Sequence, residues 1–280
     1  MAQAPGTVSR ILWHFTGGPT WNIEKDRQEK VPKSEDAAYE ALVSILMSKE
    51  LRVGHYKEVV KIKVPSLDVF DSQKKKRVHK SDVLVTLASS PVCCLADIPI
   101  AHLSYHASRY GKFAIGFHRA SAVKSNFNPV FYTLHDTDVL HSVYEGFARL
   151  QKIDLNGLIS VAEDVNIQCE HGHEADLSDI ASGLESEVSY VEDVLLQAKE
   201  SFGKFLAFVK TFDRDEFSTI YCEREWRSVE TFSFTFEDVA MVVLPKGDGG
   251  ESYFRNFTSS ARIKFPRTIP VVPWEDLIEH

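Results

Sequence analysis

The segment Cys222-Glu223-Arg224-Glu225-Trp226-Arg227 alternates acidic and basic side chains in a pattern that carries chemistry if the chain is extended there. Side chains alternate across a strand, so Glu223, Glu225 and Arg227 share one face and Arg224 and Trp226 the other. Two carboxylates and a guanidinium do not make a core face. They are either solvated, as an edge strand with an ion pair worth about 0–1 kcal/mol, or they line a cleft. In a cleft, neighbouring carboxylates raise each other's pKa, and Arg227 can hold one of them ionised and oriented.

A second candidate is Trp13-His14-Phe15-Thr16, followed by Gly17-Gly18-Pro19. On a strand, His14 and Thr16 share one face and the turn ends the element. The alternatives are a buried histidine satisfied by backbone, or an imidazole presented with Thr16 to a ligand's polar edge. Histidine titrates close enough to neutrality to serve either way. A third is Cys169-Glu170-His171-Gly172-His173, where thiolate and imidazole could ligate zinc. A structural site takes four ligands and no second pair has recognisable spacing, so a polar loop fits better. Phosphate-loop, dinucleotide-fingerprint and nucleophile-elbow motifs are absent.

The elements that position these groups follow from periodicity. Residues 9–16 read as a strand. Ser34 is an N-cap with Glu35 and Asp36 in the first turn, and Ala38, Ala41, Leu42, Ile45 and Leu46 recur at helical spacing up to Lys49. Leu51-Arg52-Val53 resumes an extended path. Residues 54–82 are polar and read as a loop. In it Lys74-Lys75-Lys76-Arg77 is either a solvated charge run or a phosphate-binding patch. Strands are expected over 112–118, 129–132, 220–229, 232–236, 239–244 and 269–274, with helices over 100–110, 137–165 and 184–210. Phe147, Leu150, Leu195 and Phe202 read as helical core. Strands flanking a helical block give an α+β fold, not alternating βαβ. The expected organisation is a core domain from 1–136 and 211–280, with 137–210 inserted as an acidic helical segment.

The chain has 280 residues, 44% hydrophobic and 26% charged, which is ordinary globular composition. No run approaches the roughly 18 apolar residues of a membrane span. Residues 1–10 contain no apolar signal-peptide region, and four cysteines are too few and too oddly spaced for a disulfide framework. The expectation is a reduced, cytoplasmic protein without a membrane role. The net charge of −8 is uneven: residues 137–200 hold 14 acidic and 3 basic side chains, and the remainder 26 acidic and 29 basic. Excess negative charge therefore resides in the helical block. Whole-chain acidity argues against strong nucleic-acid binding, while the remainder taken alone does not.

A strand with His14-Phe15-Thr16, a helix through Leu42, Ile45 and Leu46, a Leu51-Arg52 strand and a late strand with Glu223-Arg224-Glu225 together resemble ADP-ribosyltransferase-like domains. More specifically, the chain resembles the AbiGi family of abortive phage-infection proteins, described as antitoxins. Residues 11–18, 91–99 (Pro-Val-Cys-Cys-Leu-Ala-Asp-Ile-Pro), 110–116, 128–130 and 223–227 carry that resemblance. It implies a role in antiphage defence, and the first resemblance implies a split α+β sheet holding NAD. His14 and Thr16 would then sit at the nicotinamide ribose, with Tyr110 stacked on nicotinamide and Arg227 beside the cofactor. Glu225 would grip the ribose 2′-hydroxyl and steady an oxocarbenium-like transition state, and Glu223 would position the acceptor. ADP-ribose would pass to nucleic acid or protein, or NAD would be cleaved. The antitoxin description implies the alternative: a non-catalytic protein that binds a co-encoded toxin through its acidic helices.

Overall fold

The computed structural model describes residues 9–71, 75–151, 176–216, 223–247, 252–260 and 264–278. The chain forms two compact units: residues 1–58, 90–133 and 207–280 make one, and residues 59–89 and 134–206 the other.

The first unit is built on a seven-stranded mixed sheet. It comprises β1 (Ile11–Phe15), β7 (Cys93–Ala96), β8 (Ala114–His118), β9 (Asn128–Pro129), β12 (Glu225–Ser228), β14 (Val239–Leu244) and β15 (Val271–Pro273), in the order β15-β14-β8-β1-β7-β12-β9. β14 and β15 run parallel, and the recorded registers between the other neighbours are antiparallel. β8 is an interior strand, and Ala114 to Phe117 are all buried, as a strand covered on both faces requires. One face carries Leu12, Leu95, Ile115, Phe117, Val242 and Leu244 into a core with helix α1 (Glu35–Ser48). The other carries Trp13, Ala96, Ala114 and Val243 against helix α2 (Leu103–Tyr110) and Trp274.

Helix α1 starts where its sequence dictates. Ser34 Oγ accepts the Ala37 amide at 3.3 Å, and Glu35 and Asp36 complement the positive end of the helix dipole. Ala38, Leu42, Val43 and Leu46 face the core, and Lys49 closes the helix in the left-handed region at φ 55°. The short pair β2 (Trp21–Asn22) and β3 (Arg27–Gln28) precedes α1, strand β4 (Glu50–Leu51) follows it and pairs with β13 (Phe232–Ser233), and α3 (Arg119–Lys124) follows β8.

The second unit holds a long hairpin, β5 (Lys57–Asp71) and β6 (Lys76–Pro91), whose first and last residues belong to the first unit, and helices α4 (Asp138–Gln151) and α5 (Asp176–Leu206). The Phe147 and Phe202 rings stack at 4.1 Å, and Leu195 is buried, which is the core pairing that helical spacing predicts.

Two expectations are corrected. Residues 54–82 are not a loop: most belong to β5 and β6. Alternating Val60, Ile62 and Val64, buried between exposed Lys61 and Lys63, is a period-2 signal that the surrounding lysines mask. The helix expected to reach residue 210 stops at Leu206, because Val209-Lys210-Thr211-Phe212 turns into β11 (Val209–Phe212), which pairs with β10 (Phe131–Leu134). β-Branched valine and threonine favour that strand.

Candidate functional site: a cleft where the sheet splits

β1 is registered to β8 over five residue pairs, but to β7 at only one, Trp13 with Ala96. β7 is registered to β12 over four pairs, from Cys93 with Ser228 to Ala96 with Glu225. Beyond Trp13, then, β1 leaves β7, and a cleft of about 500 Å³ occupies the gap. Its walls include His14, Thr16, Lys33, Tyr56, Cys94, His106, Tyr110, Lys210, Glu223 and Glu225. Such a volume is typical of small-molecule sites.

His14 does what the missing backbone pairs would do. Its Nδ1 lies 3.1 Å from the Cys94 carbonyl. A carbonyl only accepts, so Nδ1 carries the proton and Nε2 is left as an acceptor. Burial pushes the imidazole pKa down to about 4, against the opposing pull of the Cys94 carbonyl, so the ring is neutral at pH 7. Thr16 is committed elsewhere: its hydroxyl donates to the Ala38 carbonyl at 2.7 Å and pins α1 to the end of β1.

On the other wall, Glu225 and Glu223 converge on one ammonium. Lys210 Nζ donates to Glu223 at 2.5 Å and to Glu225 at 3.3 Å. Arg109 reaches Glu223 at 2.6 Å, and the Tyr110 hydroxyl lies 3.4 Å from the same oxygen. Arg227 bonds Glu225 at 2.7 Å, pairs with Glu58, and donates to the Ala207 carbonyl at 2.8 Å. Burial alone would raise the Glu225 pKa. Arg227 and then Lys210 outweigh it, holding the carboxyl well below the usual range. By the same reciprocity burial would lower Lys210, and Glu225 with its neighbours keeps it well above the ordinary lysine value.

Glu223, Glu225 and Arg227 thus meet in one network, though not as three residues of a regular strand. Arg224 has φ 43°, in the left-handed region, and β12 begins only at Glu225. The turn is clamped by Asp97, whose amide donates to the Arg224 carbonyl at 2.9 Å and whose carboxylate takes Arg224 at 3.2 Å and Arg119 at 2.7 Å. Arg227 is fully buried and stands behind Glu225 rather than on the cleft wall. Tyr110 lines the cleft with its ring stacked on His106 at 4.4 Å.

Lys210, Arg109, Glu58 and His106 were not anticipated. They come from three separate stretches of chain, His106 and Arg109 sharing α2, and no local pattern marks them. Cys169, His171, His173 and Cys222 lie outside the described residues. Among the described residues, no group of three or more His, Cys, Asp or Glu side chains is placed to hold a metal. Nor, among those residues, is any helix long and apolar enough to cross a membrane.

The charges in this network cancel: three carboxylates (Glu58, Glu223, Glu225) meet three cations (Arg109, Lys210, Arg227). The arrangement can hold an ionised carboxylate in a fixed position at a cleft wall. No curated protein and no solved structure matches the chain. A family model described as "Putative abortive phage resistance protein AbiGi, antitoxin" matches residues 57–272, which include β12 but not β1. With more than half its length matched, the chain belongs to the AbiGi family.

Proposed function

We propose that this chain is the antitoxin of an abortive-infection pair, neutralising a co-encoded toxin by direct binding. The family match over residues 57–272 carries this reading. The charge distribution supports it: Glu192, Asp193 and Glu200 on α5 are exposed, within the segment that holds all the excess negative charge. Such a surface complements a basic partner and sets specificity and on-rate more than affinity. The test is co-expression with the product of the adjacent gene. Growth rescue and a complex that weakens with salt are expected, and Glu192→Lys/Asp193→Lys/Glu200→Lys should slow association. Absence of both rescue and complex rejects the reading.

One observation favours a second reading. His14 and Glu225, more than two hundred residues apart, line the same cleft. On that ground we also propose an ADP-ribosyltransferase-like split sheet that admits NAD as substrate, with ADP-ribose passing to protein, nucleic acid or water. Nε2 of His14 would accept a ribose hydroxyl. Ionised Glu225 would accept the 2′-hydroxyl and offset positive charge developing on the ribose as the bond to nicotinamide breaks. Glu223 and Tyr110 would face the acceptor side and the nicotinamide ring. Against rapid chemistry stand Arg227 and Lys210, whose charges already neutralise Glu225, so binding is favoured over cleavage. Labelled NAD distinguishes the outcomes: nicotinamide release that Glu225→Gln abolishes supports catalysis, and no release with any acceptor leaves the antitoxin reading alone.

A further inference from the structure

The described part of the basic run, Lys75 to Arg77, plays no part in the cleft. It lies at the end of the β5–β6 hairpin, whose inner half is anchored by buried Val60, Ile62 and Val64. Past Val64 the alternation stops. Pro65, Ser66 and Asp68 on β5 are exposed, and so are Lys76, Arg77 and His79 to Asp82 on β6. β5 continues to Asp71, so the ribbon runs on for about 23 Å at ~3.3 Å per residue. A two-stranded ribbon without a core is marginal by itself, so this length of exposed strand is unexplained by stability.

Residues 74–80 carry five lysines and arginines and no carboxylate. Lys75, at φ 49°, makes the turn into β6. Along β6, Lys76 and Lys80 share one face and Arg77 takes the other. No described carboxylate lies within ion-pair distance of Lys75, Lys76, Arg77 or Lys80, whereas the nearby acids are engaged: Asp68 with His79 at 3.0 Å and Asp82 with Lys63 at 3.6 Å.

We infer that this ribbon is a nucleic-acid-binding arm that enters a groove of duplex DNA and sets Lys75, Lys76, Arg77 and Lys80 on the flanking phosphates. An acidic protein surface would meet one face of the ribbon. Here cations project from both faces, which suits a groove walled by phosphate on two sides. The major groove of B-DNA, about 12 Å wide, admits a two-stranded ribbon. The chain's net charge of −8 does not forbid this. Screening over about 8 Å at physiological salt makes the local charge of the arm decisive.

The inference is independent of the antitoxin and NAD readings. Its test is fluorescence anisotropy of the full chain with a short labelled DNA duplex over a salt series. Four phosphate contacts predict a log K against log salt slope of about −3.6. Lys75→Ser/Lys76→Ser/Arg77→Ser/Lys80→Ser should weaken binding at least tenfold and remove most of the slope, with the melting temperature unchanged. The charge-conserving Lys75→Arg/Lys76→Arg/Arg77→Lys/Lys80→Arg should bind as the parent does. The inference is overturned if the parent does not bind the duplex, or if the serine variant binds with the same slope. It is equally overturned if single-stranded RNA binds more tightly than the duplex, or if the substitutions cost only a protein partner.

Discussion

Arg227 and Glu225 sit two residues apart on one face of β12, 2.7 Å from nitrogen to oxygen, with the guanidinium wholly out of water. Arg227 also ties Glu58 at the start of β5 and the carbonyl of Ala207 just after α5. One side chain therefore fixes three segments around the candidate carboxylate. Arg227→Met should leave Glu58 and Glu225 under-compensated, and breaking a buried pair from one side costs about 3–5 kcal/mol. Arg227→Lys should recover only part, since an ammonium lacks the planar fork. Urea denaturation measures both. A methionine variant within about 1 kcal/mol of the parent, the range of many tolerated core swaps, would show that the network does not hold the site together.

His14 and His106 make stability depend on pH in a definite direction. Burial lowers both imidazoles from 6.5 to about 4, so between those values the unfolded chain binds more protons than the folded one. Stability from each is complete above pH 6.5 and is lost as pH falls toward 4. Glu225, held low by Arg227 and Lys210 against its burial, adds loss below the unfolded carboxyl value of about 4.3. Melting temperature should therefore fall from pH 6.5 downward and steepen near pH 4. His14→Gln keeps a donor for the Cys94 carbonyl and should flatten the upper limb. An unchanged limb in both His14→Gln and His106→Gln would contradict the assignment.

Much of this was legible in sequence because local rules agree there. Ser34 with its acidic first turn marks the α1 start, and unbroken apolar residues mark β8 and β14. The convergence of residues near 14 and 225 was implied by the resemblance to ADP-ribosyltransferase-like domains, since neither strand's own pattern points to the other. What escaped depends on distant contacts. Lys210 reads as the tail of an amphipathic helix until Glu223 and Glu225 are brought to it. Thr16 reads as a ligand group until α1 offers the Ala38 carbonyl. The β5–β6 hairpin was missed because its outer half has no core to impose alternation, and lysine-rich sequence without periodicity looks like loop.

Cys93 and Cys94 should be chemically silent in the native protein. Burial pushes the Cys93 thiol up to about 12 and raises Cys94 well above its ordinary value, with Glu225 adding to the effect at Cys94. The thiolate is the reactive form, and almost none is present at pH 8. Iodoacetamide labelling followed by peptide mapping should leave residues 93 and 94 unmodified until denaturant is added. Fast native modification at Cys94 would mean that the cleft wall opens.

Just past β1, the chain touches the end of α2 at Gly17 and Gly111. A Cβ on Gly17 would sit 2.7 Å from the Tyr110 carbonyl oxygen and 3.2 Å from the Gly111 Cα, and both are backbone atoms with little room to yield. Gly111 is at φ 78°, the conformation that ends α2 below Tyr110. Gly17→Ala must therefore push β1 and α2 apart, at a cost of about 1–3 kcal/mol as overpacking usually exacts. The shift falls between Thr16 and Tyr110, so any ligand spanning the cleft should bind more weakly than the stability loss alone accounts for. Gly54→Ala is the control: nothing lies within 4 Å of its Cβ, and it should be neutral or stabilising by up to about 1 kcal/mol. Equal melting temperatures for the two variants would show that the β1–α2 junction is not close-packed.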